Sequence, residues 1–393
     1  MTHQKLTMVA SLFALALYLM WSTPALAERP ASLENGLSLT LQSEVLKEPR
    51  TLWVRLPEGY DDPNSDPARY PVVYLLDAES NFTYFTGLVD RLSRGPYAFM
   101  PEVIVVGIVN TDRTRDLTPT VAKSALPPGR SGGRKDQPTG GNALFFKFIQ
   151  EEVMPAVAAR FRTDDYRVLV GHSFGGITAL NALLNHNELF NAYLVHDPSL
   201  WWDDKAILKQ YQQLEAVDFK QRRLYLSQVD ESEQAGQRDH YDAIKAFEQL
   251  LRQAQFKGLA FEYQQFQNED HGTIPLVGNN YGLRYVFDGY RINIKAVAKD
   301  PGLIERTYAQ LSQKLGHTFK PSEAYLNRVG QYLLGTGDLA EAHKYLQQNL
   351  LTHPNSPQAN QSMADYYTKA KDEAQAQKYQ AKAKALGYKG KAK

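Results

Sequence analysis

Between residues 28 and about 290 the chain alternates short apolar runs with amphipathic stretches. Leu52, Trp53, Val54, Arg55 and Leu56 predict an early strand that stops at Pro57. Residues 72–76 and 103–109 are rich in β-branched side chains, apolar throughout and too short for helices. Strands covered on both faces have that pattern, which points to a largely parallel sheet. Residues 168–170, 192–195 and 224–226 continue the series, and 261–266 alternate as a half-exposed edge strand does. Between these runs, Leu144, Phe145, Phe148, Ile149 and Val153 recur at helical spacing, and residues 241–251 do the same. The alternation predicts a doubly wound, mostly parallel α/β sheet. Residues 111–141 break the rhythm with Pro119, Pro127, Pro128, Pro138 and several glycines. So long a connection is either a functional, lid-like loop or a disordered one.

Beyond residue 290 the pattern is helical only, and it repeats. Gly330, Leu333, Asp338 and Ala342 are followed 34 residues later by Ala364, Tyr367, Asp372 and Ala376, and Asn349 by Ala383. This period resembles the tetratricopeptide repeat; an ordinary helical hairpin would have the same consequence for the fold. Two units cannot bury their apolar faces alone, so the segment is expected to dock on the preceding domain through residues 303–315. It is also a candidate surface for a protein partner.

Composition narrows the classes of function. The 393 residues carry 44 Lys and Arg against 43 Asp and Glu, a formal charge of +1, which lacks the basic field that nucleic-acid binding needs. No cysteine is present, which excludes a disulfide scaffold, a thiol nucleophile and thiolate metal ligation. At the start, Lys5, an uncharged stretch from Leu6 to Trp21 and then Ala25-Leu26-Ala27 read as a cleavable signal peptide. The expected organisation is a leader over 1–27, an α/β domain over 28–295 and a helical extension over 296–393. The mature chain would be periplasmic or secreted, with no stable membrane insertion.

The most informative hexapeptide is Gly171-His172-Ser173-Phe174-Gly175-Gly176. It follows an apolar run and precedes a good helical stretch, the strand–turn–helix setting of a nucleophile elbow. A serine hydroxyl needs a base, and His271 stands on a polar, Gly-containing loop just past the last predicted strand. Its acid should follow residues 224–229, where Asp230, Glu231 and Glu233 all lie. Glu231 and Asp230 rank first and Glu233 behind; Asp197, after the preceding strand, is the outside candidate. The oxyanion donors expected from this topology are the amides of Phe174 and of Ala78 or its neighbour. Trp201 and Trp202 are candidates for a pocket wall, although paired tryptophans are more often core. No His-Glu-x-x-His motif and no Gly-rich loop ending in Gly-Lys-Ser/Thr occurs, so neither metal nor nucleotide chemistry is indicated.

The elbow, Tyr74-Leu75-Leu76-Asp77, Pro198-Ser199-Leu200-Trp201-Trp202 and residues 269–276 together resemble the Putative esterase family of α/β-hydrolases. That family holds esterase D-type enzymes, siderophore esterases and mycolyltransferases. The resemblance spans roughly residues 28–290. It implies an α/β-hydrolase fold and a serine esterase acting on a small-molecule ester through an acyl-enzyme, with Ser173 and His271 carried over and no metal or organic cofactor. Gln228-Val229-Asp230 stands where siderophore esterases often have a Gly shortly before the acid, and the N-terminal domain of the cytoplasmic ferri-enterobactin esterases is missing. A siderophore substrate is therefore not favoured at this point. An acyltransferase using the same intermediate is the second enzymatic reading. A catalytically silent hydrolase fold that binds partners through its tail is the non-enzymatic one; it predicts a missing nucleophile or base, and both are present.

Overall fold

The computed structural model describes residues 35–95, 97–122, 137–230 and 238–390. The expected leader, Glu231, Glu233 and the middle of the 111–141 loop lie outside the described residues. Eight strands form one sheet in the order β1-β2-β4-β3-β5-β6-β7-β8. These are β1 Leu37–Ser43, β2 Glu48–Arg55, β3 Tyr70–Leu75, β4 Ile104–Ile108, β5 Thr163–His172, β6 Ala192–His196, β7 Arg222–Val229 and β8 Leu259–Phe266. β1, β2 and β4 pair antiparallel, and from β4 through β8 every pairing is parallel. With helices packed on the sheet and a helical C-terminal segment, the chain has an α/β-hydrolase fold followed by an all-α tail. Among the described residues no helix is long and apolar enough to cross a membrane.

Successive side chains of a strand point to opposite faces, so each central strand feeds two cores. Val72, Tyr74, Leu169 and Val195 pack with the elbow helix Phe174–Asn185 and with Ile244 and Phe247 of the helix Arg238–Ala254. Val73, Leu75, Val168 and Val170 face the other layer, the helices Ala78–Ser93 and Ile274–Val286. The edge strand β8 is only half covered, as its alternation predicts. β1, which the apolar pattern does not reveal, is largely exposed and lies beyond β2.

The second core continues into the tail. Ile304, Tyr308, Leu311 and Leu315 of the helix Leu303–Leu315 belong to the same cluster as the strand residues. Tyr166 on β5 meets Phe319 edge-on at 5.2 Å between ring centroids. Further out, Glu323 Oε2 accepts from the Asp66 amide at 2.8 Å, and the Gln358 amide donates to Asn64 O at 2.8 Å. Four helices follow as two hairpins, Glu323–Thr336 with Leu339–Thr352 and Pro357–Lys369 with Glu373–Ala385. Their caps carry the 34-residue period. Ser322 and Ser356 cap the first helix of each hairpin, and Asp338 and Asp372 cap the second. At Gly330 the paired helices approach so closely that a Cβ there would lie 2.3 Å from Leu346 Cδ2.

Candidate active site

β5 ends at His172, the chain turns at Ser173, and the elbow helix begins at Phe174. Ser173 has φ 58° and ψ −114°, a backbone state costly for a residue with a side chain and typical of functional turns. The flanking glycines make the turn possible. A Cβ on Gly171 would sit 2.1 Å from Gly175 O, and one on Gly176 2.9 Å from Pro198 Cβ. The segment after β6 holds the turn on its other side. The Ser173 amide donates to His196 O at 3.1 Å, and the Ser199 amide donates to Ser173 O at 3.1 Å. The Ser173 and Ser199 hydroxyls are themselves 3.1 Å apart.

His271 lies on the turn joining β8 to the helix Ile274–Val286, shaped by Asp270, whose Oδ1 accepts from the Gly272 and Thr273 amides at 2.8 Å each. Its ring packs against His172, the residue before Ser173, at 4.5 Å between centroids. Its Nδ1 is 2.6 Å from Asp197 Oδ2, which leaves Nε2 to face a hydroxyl. The imidazole is 45% exposed, whereas the carboxylate is completely buried.

The described acid nearest His271 is not one of those ranked first in the sequence. Among the described residues the carboxylate hydrogen-bonded to His271 is Asp197, the outside candidate. Asp230, ranked ahead of it, follows β7 with its amide on Phe266 O at 3.0 Å. The reason is topological. β6 is the immediate neighbour of β5, so a residue just past its end lies beside the elbow, one strand nearer than Asp230. The chain order of serine, acid and histidine is unchanged.

A further residue, which no sequence motif marks, joins this pair. His240 Nε2 is 2.9 Å from the same Asp197 Oδ2, and the His240 side chain is 4% exposed. Burial alone would raise the Asp197 pKa. The hydrogen bonds from His240 and His271 outweigh it and hold the carboxyl well below the usual carboxylate range. Burial, reinforced by the neighbouring His271, lowers the His172 pKa well below that of a free imidazole. Asp197, His240 and His271 also form a set whose donor atoms lie within 4.8 Å of one another, the spacing of metal ligands. Their mutual hydrogen bonds already account for that grouping.

Phe174 and Ala78 are the first residues of their helices, so neither amide has an intrahelical acceptor. Ala78 is fully buried, and of the two only Phe174 has exposed surface. Asp77, at φ 54°, turns the chain into the helix Ala78–Ser93. Its carboxylate accepts from Arg113 Nε at 2.7 Å, Arg113 Nη2 at 2.9 Å and Asn110 Nδ2 at 2.7 Å. The Arg113 guanidinium lies 5.3 Å from the Phe174 ring centroid, tying the end of β3 to the elbow. Trp201 and Trp202 are 8% and 1% exposed and belong to the core behind Phe174 rather than to an open pocket wall. Trp202 meets Phe174 edge-on at 5.1 Å, and its Nε1 donates to Thr120 Oγ1 at 3.1 Å, which anchors the near end of the 111–141 loop.

The profile of the family described as Putative esterase matches residues 43–273. The chain is 31% identical over 231 residues to the ferri-bacillibactin esterase BesA of Bacillus subtilis, covering 56% of this chain and 79% of that protein. It is 27% identical over 292 residues to the siderophore triacetylfusarinine C esterase of Aspergillus fumigatus, covering 66% of this chain and 96% of that protein. Among solved structures, an IroE-like serine hydrolase from Shewanella oneidensis superposes with a TM-score of 0.67 at 31% identity, over 90% of this chain and all of that one.

Proposed function

Because the chain belongs to the Putative esterase family and is a carboxylic ester hydrolase, we propose that it works through a Ser173–His271–Asp197 triad and an acyl-enzyme. The observation that carries this reading is the elbow itself: Ser173 at φ 58°, with a His271–Asp197 pair at 2.6 Å beside it. Ser173 Oγ attacks the ester carbonyl while His271 Nε2 takes its proton. Asp197 accepts the hydrogen bond from Nδ1–H, fixing the tautomer and stabilising the imidazolium that forms. The tetrahedral oxyanion is received by the Phe174 amide and by an amide of the Asp77–Ala78 turn. His271 passes its proton to the departing alcohol, and a water activated by the same imidazole then frees the acid.

The siderophore esters named for the relatives are the first substrates to test. Two such relatives outweigh the sequence features that speak against that class. The leader pattern at residues 1–27 supports export to the periplasm or beyond, and the period of the tail supports a tetratricopeptide-like brace. The test is fluorophosphonate labelling of the full chain beside Ser173→Ala and His271→Ala, with p-nitrophenyl acetate turnover read in parallel. Labelling and turnover lost in both variants are expected. A folded parent that takes no label would overturn the acyl-enzyme.

A further inference from the structure

We propose that His240 is a positioning residue for the acid–base pair: by donating its Nε2 proton to the carboxylate oxygen that receives His271, it holds Asp197 in register with His271 and draws off part of its charge. The proposal rests on the reading of Asp197 and His271 as the catalytic pair.

The geometry is convergent. His271 Nδ1 at 2.6 Å and His240 Nε2 at 2.9 Å meet on one oxygen, Asp197 Oδ2. The two rings are edge-to-face, 5.3 Å between centroids. An ionised carboxylate only accepts, so each imidazole donates to it. His240 Nδ1 is buried without a hydrogen-bond partner, so a proton there would be unmatched, whereas on Nε2 it has its acceptor.

Asp197 sits at φ 41° just past the end of β6, and its Oδ1 accepts from the Val229 amide at 3.4 Å. His240 comes from a rigid support. It lies in the first turn of the helix Arg238–Ala254, whose Ala243, Ile244 and Phe247 are fully buried. Gln228 Nε2 donates to Tyr241 O at 2.9 Å and Gln265 Nε2 to Tyr241 Oη at 3.1 Å, fastening the start of that helix to β7 and β8. Charge-assisted hydrogen bonds from so fixed a donor set the direction of the carboxylate and share its charge.

The pH consequence has a defined sign. His271 faces Asp197 after β6, His172 at the end of β5, His240 on its helix and Asp270 on its own turn; Arg113 lies beyond His172, and Tyr263 on β8, whose hydroxyl donates to Gln228 Oε1, lies within range of the Asp197 charge. Removing the His240 donor leaves the full carboxylate charge to His271, which favours the imidazolium. The acid limb of kcat/KM then moves to higher pH.

The test uses the full chain with His240→Leu, which removes the donor at similar volume, and His240→Gln, whose terminal amide can still reach Asp197. With p-nitrophenyl acetate, His240→Leu should lower kcat by about 10- to 100-fold with KM within about twofold. It should also raise the acid limb, and His240→Gln should recover most of both. A folded His240→Leu with parental kcat and acid limb overturns the proposal, and so does a folded His240→Gln as impaired as the Leu variant. If His240→Leu does not fold, His240→Asn, polar but too short to reach, replaces it with the same expectations. NMR titration of the His271 imidazole in Ser173→Ala, with and without His240→Leu, needs no turnover. A shift to higher pH on losing His240 supports the clamp even if fluorophosphonate labelling overturns the acyl-enzyme, and no shift sinks the clamp alone.

Discussion

His271 Nδ1 and Asp197 Oδ2 are 2.6 Å apart although 74 residues separate them in the chain, and the contact joins an exposed imidazole to a buried carboxylate. A buried anion is costly unless hydrogen-bonded, so the pairing fixes both the side chain of Asp197 and the tautomer of His271. Asp197→Asn should reduce kcat by about 10³- to 10⁴-fold, because the amide stabilises the wrong tautomer and no imidazolium. Asp230→Asn and Glu231→Gln should stay within about threefold of the parent. Steady-state kinetics on the three variants decides the acid; a large loss in Glu231→Gln with a mild Asp197→Asn would overturn the assignment.

Most of the sheet is legible in the sequence because five parallel strands are covered on both faces, which leaves unbroken apolar runs such as residues 72–76 and 103–109. β1 is not, since its side chains are largely exposed and carry little hydrophobic signal. The strand–turn–helix setting of Ser173 and the loop position of His271 after the last strand are legible from local context. Asp197 ranks low because the expected acid follows β7, where three carboxylates crowd into four residues, and nothing local marks an acid as buried. Helical spacing marks residues 241–251, but His240 lies just before that run, and only the tertiary fold brings the first turn of the helix Arg238–Ala254 onto the end of β6.

Acid should weaken the fold before it unfolds it. His196 is fully buried between Ser227 Oγ at 2.7 Å and Asn279 Oδ1 at 2.9 Å, and burial lowers its pKa to about 4. The unfolded chain binds a proton there near pH 6.5 and the folded chain does not, so stability is complete above pH 6.5 and falls as pH drops towards 4. The loss from this residue approaches about 3 kcal/mol. Asp197, depressed in the fold, adds a second loss that begins below about pH 4. Urea melts from pH 7 to 4 should show the first decline, and His196→Gln should flatten it; an equal slope in the variant would refute the cause.

The elbow glycine and a helix glycine should respond in opposite directions. Gly171→Ala puts a methyl group 2.1 Å from Gly175 O, a backbone atom that cannot retreat without undoing the turn. It should abolish labelling of Ser173 and lower the Tm. Gly87 lies inside the helix Ala78–Ser93, and a methyl group added there would meet nothing within 4 Å. Gly87→Ala should therefore stabilise by about 0.5–1 kcal/mol and leave turnover intact. Thermal melts and active-site labelling of the two variants provide the comparison.

The helical tail should prove inseparable from the sheet. Tyr166 on β5 is fully buried, with Phe287 at 5.7 Å, His317 at 5.6 Å and Phe319 at 5.2 Å around its ring. Two of those three partners come from beyond residue 295. Leu311, 2% exposed, lies in the same cluster as Val73 and Leu75, so truncation to a side-chain stub opens a cavity in a core shared with the parallel strands. Leu311→Ala should cost about 2–5 kcal/mol and lower the Tm of the whole chain in a single transition, with kcat of the remaining folded protein close to the parent. Ending the chain at residue 295 should give insoluble protein, because it strips His317 and Phe319 from Tyr166 and removes Ile304, Tyr308, Leu311 and Leu315 from the shared core. A soluble, labelled product of that truncation, or two separate melting transitions in Leu311→Ala, would show that the tail is an independent module and that the shared core contributes little to holding Ser173 in place.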